Sequence, residues 1–258
     1  MKLAMPSRRR LITGGLATVA GLSLAGCDRL ARAPAFRSFL DSAEGLTMRS
    51  QRLLMGQALA REFKPADISP TFRVNGTAAP ASPDYQILAD TGFEGWTLRV
   101  DGLVRRPLDL TLDQLKTLHV RSQITRHDCV EGWSAIGQWT GPQLGAVLNL
   151  AGLLPNARYI VFRCADAMGG DPEGTDYYYE SIDLIDAFHP QTILAYAMNG
   201  QPLSIGHGAP LRLRVERQLG YKHAKYVMRV EAVESLTGIR GGRGGYWEDY
   251  GYEWYAGA

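Results

Sequence analysis

Short stretches that alternate apolar and polar residues, separated by glycine, proline or Asn-Gly, constrain this chain more than any other feature. Trp96-Thr97-Leu98-Arg99-Val100-Asp101-Gly102 alternates at a period of two, the pattern of a half-buried strand. Val120 to Thr125, Leu211 to Glu216 and Tyr226 to Val233 read as further strands, and Tyr159 to Phe162 as a fully buried one. Ile193 to Met198, the Asn199-Gly200 turn and Pro202-Leu203 together spell a hairpin. Helix signals are fewer. Thr111-Leu112-Asp113-Gln114 has capping-box spacing and starts a short helix to Leu118, and Ser181 caps a second over Ile182 to Phe188. Ser42 to Phe63 sets Leu46, Leu53, Leu54, Ala58 and Leu59 at three- and four-residue spacings, ended by Lys64-Pro65. Asn75 to Pro83 is turn-rich and reads as loop. Many strands with a few short helices give an α+β fold, not a repeating βαβ one.

The first thirty residues read as an address. Ser7-Arg8-Arg9-Arg10-Leu11-Ile12-Thr13 precedes the weakly polar run Gly14 to Ala25, which is short for a bilayer span. Paired arginines ahead of such a run resemble a twin-arginine signal, the route of proteins that fold and take up cofactors before export. Leu24-Ala25-Gly26-Cys27 resembles a bacterial lipobox, with cleavage before Cys27 and acylation of its sulfur, and Asp28 hints at retention on the inner membrane. The expected organisation is therefore a signal over residues 1–26, a tether with a helical segment over 27–70, and one domain over 71–258. The formal charge of +2 includes Lys2, Arg8, Arg9 and Arg10; without them 24 basic residues face 26 acidic ones. That balance argues against a nucleic-acid partner.

Three cysteines cannot all pair within one chain, and no Cys-x-x-Cys occurs, so thioredoxin-like and c-type haem chemistry lack their motifs. In an exported chain, Cys129 and Cys164 are the pair available for a disulfide. Cys129 lies in Arg126-His127-Asp128-Cys129-Val130-Glu131-Gly132-Trp133, at the end of a strand and before a glycine turn. Arg126 and His127 favour a thiolate, whereas Asp128 and Glu131 oppose it. Three readings follow from the residues alone: a soft metal ligand, a nucleophile, or an inert buried thiol.

The stretch Cys129-Val130-Glu131-Gly132-Trp133-Ser134, with Trp139-Thr140-Gly141, resembles the molybdopterin domain of the sulfite-oxidase family. It is most similar to the family's exported bacterial branch, which includes a methionine sulfoxide reductase. The likeness continues in order through Asn199-Gly200-Gln201-Pro202-Leu203, His207-Gly208-Ala209-Pro210-Leu211-Arg212 and Gly220-Tyr221-Lys222-His223-Ala224-Lys225. It covers roughly Thr71 to the C-terminus. The resemblance implies an α+β molybdopterin-binding domain with a mixed, barrel-like sheet. It also implies a molybdenum–molybdopterin cofactor and Cys129 as the protein's own sulfur ligand to the metal. His207, Arg212 and Lys225 match positions that hold the cofactor's polar parts. His223 and Ala224 belong to the same phosphate-gripping turn and would act through their backbones, although the family more often has Gly and Ile there. Cys164 falls where the bacterial branch has a pterin-contacting Thr, and also reads as a buried structural cysteine. Phe72-Arg73-Val74-Asn75 resembles an early cofactor-contacting segment, while Asn75-Gly76 also reads as a plain turn.

The implied chemistry is oxygen-atom transfer outside the cytoplasm, as sulfoxide reduction or sulfite-type oxidation, with electrons exchanged with a separate membrane or soluble cytochrome. Arg73, Arg126 and Lys222 are candidates to hold an oxyanion, and His127 to assist proton movement. The place implied is the periplasm, with an inner-membrane anchor through a lipidated Cys27. Two other classes stay open: a metal-free anchored binding module that keeps the fold, and a thiol enzyme in which Cys129 and His127, two apart, share a strand face. The aromatic tail from Gly241 to Ala258, and Tyr177 to Tyr179, read as packing at the edge of the core.

Overall fold

The computed structural model describes residues 33–168 and 176–257, so the signal, Cys27 and the lipobox lie outside the described residues. The chain divides into two compact units, Met1–Gly56 and Gln57–Ala258. In the first unit the described element is one helix, α1 (Pro34–Met55). Proline at its first position suits a helix start, since the missing N–H has no partner there anyway. It starts and stops earlier than the periodicity suggests, because Gly56 adopts φ 50° and its N–H closes on the Arg52 carbonyl. Ala58 and Leu59 therefore fall beyond the helix.

The second unit runs α2 (Pro83–Asp90), β1 (Thr97–Gly102), β2 (Leu108–Thr111), α3 (Leu112–Thr117), β3 (Val120–Cys129), β4 (Trp133–Pro142) and α4 (Leu144–Ala151). It continues with β5 (Tyr159–Ala167), β6 (Tyr177–Asp183), α5 (Leu184–Ala187), β7 (Ile193–Ala195), β8 (Ala197–Met198), β9 (Gln201–Pro202), β10 (Arg212–Arg214), β11 (Val227–Val233) and α6 (Tyr246–Asp249). The expected capping box is present at α3, where Thr111 and Gln114 exchange side-chain and backbone hydrogen bonds. The hairpin is present too, with Asn199 and Gly200 both at positive φ between β8 and β9. Ser181, expected to cap a helix, sits inside β6, and Asp183 caps α5 instead by accepting from the Asp186 N–H at 3.0 Å. The stretch before Tyr85 is loop as expected, but it feeds the unforeseen α2, capped by Ser82.

Three open sheets result. A five-stranded sheet has the order β2-β1-β11-β5-β6, parallel only where β1 meets β11; a four-stranded sheet runs β3-β4-β8-β9; β7 and β10 form a separate pair. None of them closes into a barrel. The main core fills the space under the five-stranded sheet with Leu98, Val100, Ile160, Phe162 and Val230, all fully buried, against Leu144, Val147 and Leu148 of α4. Each such side chain contributes about 1.5–3 kcal/mol on leaving water. A smaller core around Trp139, Ile193 and Met198 joins β4 to β7. There Gly141 is obligatory, because a Cβ on it would overlap the Leu194 carbonyl. Among the described residues no helix is long and apolar enough to cross a membrane.

Candidate active site

β3 and β4 pair without a break from Val120↔Pro142 to Cys129↔Trp133, and Gly132 at φ 85° reverses the chain between them. Alternation along β3 places Gln123, Thr125, His127 and Cys129 on one face, so the strand ends with a half-buried thiol beside a buried imidazole. Arg126 takes the opposite, exposed face and pairs with Asp128 at 2.9 Å. Cys129 lines a cavity of about 230 Å³ whose other walls come from the Asn75–Thr77 loop, Asp166 of β5, His223 and Lys225 after the turn Gly220–Lys222, and Trp247 and Tyr252 of the tail. Burial raises the Cys129 pKa; the Glu131 N–H counters this and the Glu131 carboxylate adds to it.

Buried cations surround this cavity. Arg212 is fully buried, stacks on Trp139 with its guanidinium carbon 4.8 Å from the ring centre, and donates to the carbonyls of His207 (3.0 Å) and His223 (3.4 Å). Arg214 stacks on the same indole at 4.4 Å but is neutralised by Glu216 in a two-point pair, 2.9 and 2.6 Å. Lys225 Nζ donates to the carbonyls of Asn75 (2.7 Å), Gly206 (3.0 Å) and Thr77. Its reach into the site depends on Tyr226, held at φ 55° by ring contact with Tyr85 and a 2.8 Å hydrogen bond to the Thr77 carbonyl. Burial, then Arg212, press the Lys225 pKa down to about 7. Burial, then Arg214, hold Arg212 below the ordinary guanidinium value. Neither Arg212 nor Lys225 forms an ion pair among the described residues.

His127 is neutral, because burial first and then Arg214, Arg212 and Lys225 drive its pKa well below the usual imidazole range. Arg214 donates to its Nδ1 at 3.0 Å, which leaves the proton on Nε2. His223 is likewise neutral by burial and by Arg214, and its Nε2 donates to the Gln218 carbonyl at 3.0 Å. Buried nitrogens near the cavity are left without hydrogen-bond partners among the described residues: His127 Nε2, Arg212 Nε and Trp139 Nε1 as donors, His223 Nδ1 as an acceptor. Gly220 stands against His127, where a Cβ would come within 2.6 Å of Nε2. Uncompensated buried cations together with orphaned donors and an acceptor fit an anionic, heteroatom-rich group such as a pterin phosphate. No three His, Cys, Asp or Glu side chains converge as a metal cage among the described residues.

The structure brings Cys129, Asn75, His223 and Lys225 to one cavity, with Arg212 and His127 behind it. Phe72 packs its ring on His127, Trp139 and His207 (5.6, 5.3 and 5.7 Å between centres), and its carbonyl accepts from His207 Nε2 at 3.2 Å. His207 is fixed on its other side by Ser204, 2.7 Å from Nδ1. Ala224 lies in the main core with its carbonyl bonded to the Leu213 N–H. Cys164 also lies in the main core and off the cavity wall, and both it and Cys129 are free thiols. Arg73 is exposed and lines no part of the wall. Lys222 cannot hold an oxyanion: it is fully buried between Glu180 and Glu248.

Several residues on the wall or behind it escaped the sequence reading. Arg214 was recoverable, since β10 alternation puts it on the face of Arg212. Glu131 sits in the cysteine motif itself. Asp166 carries no motif; burial raises its pKa to about 6, with its own N–H, Lys225 and Thr77 opposing. The tail aromatics were expected to be packing, yet Trp247 and Tyr252 form wall, meeting edge-to-face at 5.6 Å while Tyr252 stacks on Tyr221 at 5.2 Å. The tail is clamped there by Glu248 on Lys222 (2.6 Å) and by Asp249, which accepts from the N–H groups of Gly241 and Arg243.

Residues 85–237 match the sequence profile of the oxidoreductase molybdopterin binding domain. A protein of Azospira oryzae named for a protein-methionine-sulfoxide reductase subunit, YedZ1, is 43% identical over 161 residues, 62% of this chain and 55% of that protein. The protein-methionine-sulfoxide reductase catalytic subunit MsrP of Xanthomonas campestris is 36% identical over 151 residues, 55% of this chain and 46% of that protein. The match thus spans about half the length of these curated relatives. Among solved structures, the sulfane dehydrogenase SoxCD from Paracoccus pantotrophus shares the fold with a TM-score of 0.50 at 22% identity, over 57% of this chain and 40% of that one.

Proposed function

The chain belongs to the oxidoreductase molybdopterin binding domain family, and on that premise we propose that it is an exported molybdenum–pterin enzyme that reduces sulfoxides. The observation that carries this reading is Cys129 on the wall of a cavity beside two buried cations, Lys225 on the wall and Arg212 behind it, that hydrogen-bond to carbonyls and to no carboxylate among the described residues. When bound, the molybdenum–pterin group would supply two-electron oxygen-atom transfer chemistry, the net reaction converting a sulfoxide, two electrons and two protons to a sulfide and water. The chain's part is placement and electrostatics. Cys129 Sγ would ligate the metal. Arg212 and Lys225 would hold the pterin phosphate, His127 would donate through Nε2–H, and His223 would accept at Nδ1. Because His127 is neutral with Nδ1 already engaged by Arg214, it serves as a hydrogen-bond donor and not as a base for the thiol. The raised Cys129 pKa also disfavours the thiol-enzyme alternative.

The wall supports the reductive direction. Glu131 and Asp166 repel an anion such as sulfite, whereas Tyr221, Trp247 and Tyr252 offer aromatic surface to the alkyl groups of a neutral sulfoxide. The names of the two curated relatives point the same way. Electrons come from a separate cytochrome. The protein works in the periplasm, carried there by the twin-arginine signal and anchored at the inner membrane through an acylated Cys27.

The test is molybdenum per chain in the purified protein and in Cys129→Ser, from a host that makes the cofactor, followed by turnover of dimethyl sulfoxide and of sulfite. Near-stoichiometric metal and faster sulfoxide reduction are expected, with pterin retained and activity lost in the variant. Absence of molybdenum would sink the cofactor, and faster sulfite oxidation would reverse the direction.

A further inference from the structure

Helix α1 bears an apolar stripe that the described structure leaves open. At 100° per residue, Ala43, Leu46, Leu53 and Leu54 fall within an arc of about 100°. The three leucines are exposed by 66%, 86% and 82%. Of the polar residues along the stripe, Thr47 turns its hydroxyl back onto the Ala43 carbonyl at 2.9 Å, so it adds little polarity. Arg49 borders the stripe, where a long basic side chain can run along an apolar surface and keep its charge in water. Residues 28–56 hold five arginines against three acids, a basic balance beside residues 57–258, where 19 basic residues face 23 acidic ones. The helix begins seven residues after Cys27, a separation of at most about 25 Å even when fully extended. It is not a span, since no described helix is long and apolar enough to cross a membrane.

We propose that α1 lies flat on an anionic phospholipid surface, with Leu46, Leu53 and Leu54 in the acyl boundary and Arg49 among the headgroups. The seam suits lipid better than a second copy of the chain, because Ser50 interrupts the heptad line from Leu46 to Leu53. The helix contributes a second attachment beside any acyl group on Cys27, and one chain with one further attachment is what stable anchoring needs. This holds whatever chemistry the cavity performs.

The experiment uses the chain from residue 28 onward, which keeps every described residue, including the compact unit Gln57–Ala258 with its own core, and carries no acyl group. Binding is measured by flotation with vesicles of phosphatidylethanolamine and phosphatidylglycerol at 3:1, and with phosphatidylcholine vesicles. Tryptic cleavage after the exposed Arg49 reports locally on the helix. Expected are binding to the anionic vesicles that weakens with salt, protection of that site, and loss of at least tenfold in Leu46→Glu/Leu53→Glu/Leu54→Glu. The thermal midpoint of the catalytic unit should be unchanged in that variant. The proposal fails if no vesicle is bound, if binding leaves the Arg49 site open to trypsin, or if the leucines instead hold a dimer in solution that the triple variant dissolves.

Discussion

Lys225 shows how much the site asks of single residues. Its ammonium is buried against three carbonyls, near Arg212 and without a carboxylate partner among the described residues. In the unfolded chain it keeps its proton to about 10.5, whereas in the folded protein it releases it near 7. Between those values the unfolded state binds more protons, so stability rises with pH, by at most about 1.4 kcal/mol per unit from this group. Urea denaturation of cofactor-free protein at pH 6, 7, 8 and 9 should show that rise, and Lys225→Met should lack it. A bound anion reverses the balance, because it favours the charged lysine, and a cofactor-loaded sample should show no such rise. At this scale the sequence was informative where a motif named the residue, as for Cys129, Arg212 and Lys225. It was silent on Asp166, whose role comes only from where β5 carries it.

Among the elements, the turn Gly220–Lys222 and helix α6 depend on each other through one buried cation. Lys222 sits between Glu180 of β6 and Glu248 of α6, all three fully buried. Burial, then Glu248, raise the Glu180 pKa well above a normal carboxylate. Removing the lysine strands two carboxylates, so Lys222→Met should cost about 3–5 kcal/mol, seen as a lowered thermal midpoint. Lys222→Met with Glu180→Gln and Glu248→Gln should recover part of that loss. The sequence reading took Lys222 for a substrate-facing cation because the strand and helix that enclose it are 42 and 26 residues away along the chain. Element boundaries went astray for more local reasons: Gly56 stops α1 ahead of the apolar run, and Ser181 follows β6 because its hydroxyl is bound by the Gly244 carbonyl. Strands fared better, since alternation records their burial directly.

As a whole, the molecule builds one cavity from segments that are remote along the chain: the Asn75–Thr77 loop, the end of β3, β5, the turn after Leu219 and the tail. The family profile ends at residue 237, yet two aromatic walls lie beyond it. Trp247→Ala should therefore leave molybdenum content unchanged while raising KM for dimethyl sulfoxide by about tenfold, with a smaller effect on kcat. The fold class was readable from the order of its strands, and the motifs named Asn75, Cys129, His223 and Lys225, which the structure brings to one cavity, whereas the joining of tail to cavity was not readable, because packed and lining aromatics have the same composition. Trp247 and Tyr252 are the last wall residues along the chain, so a chain cut before Gly245 would keep the other segments of the wall and lose this side of it.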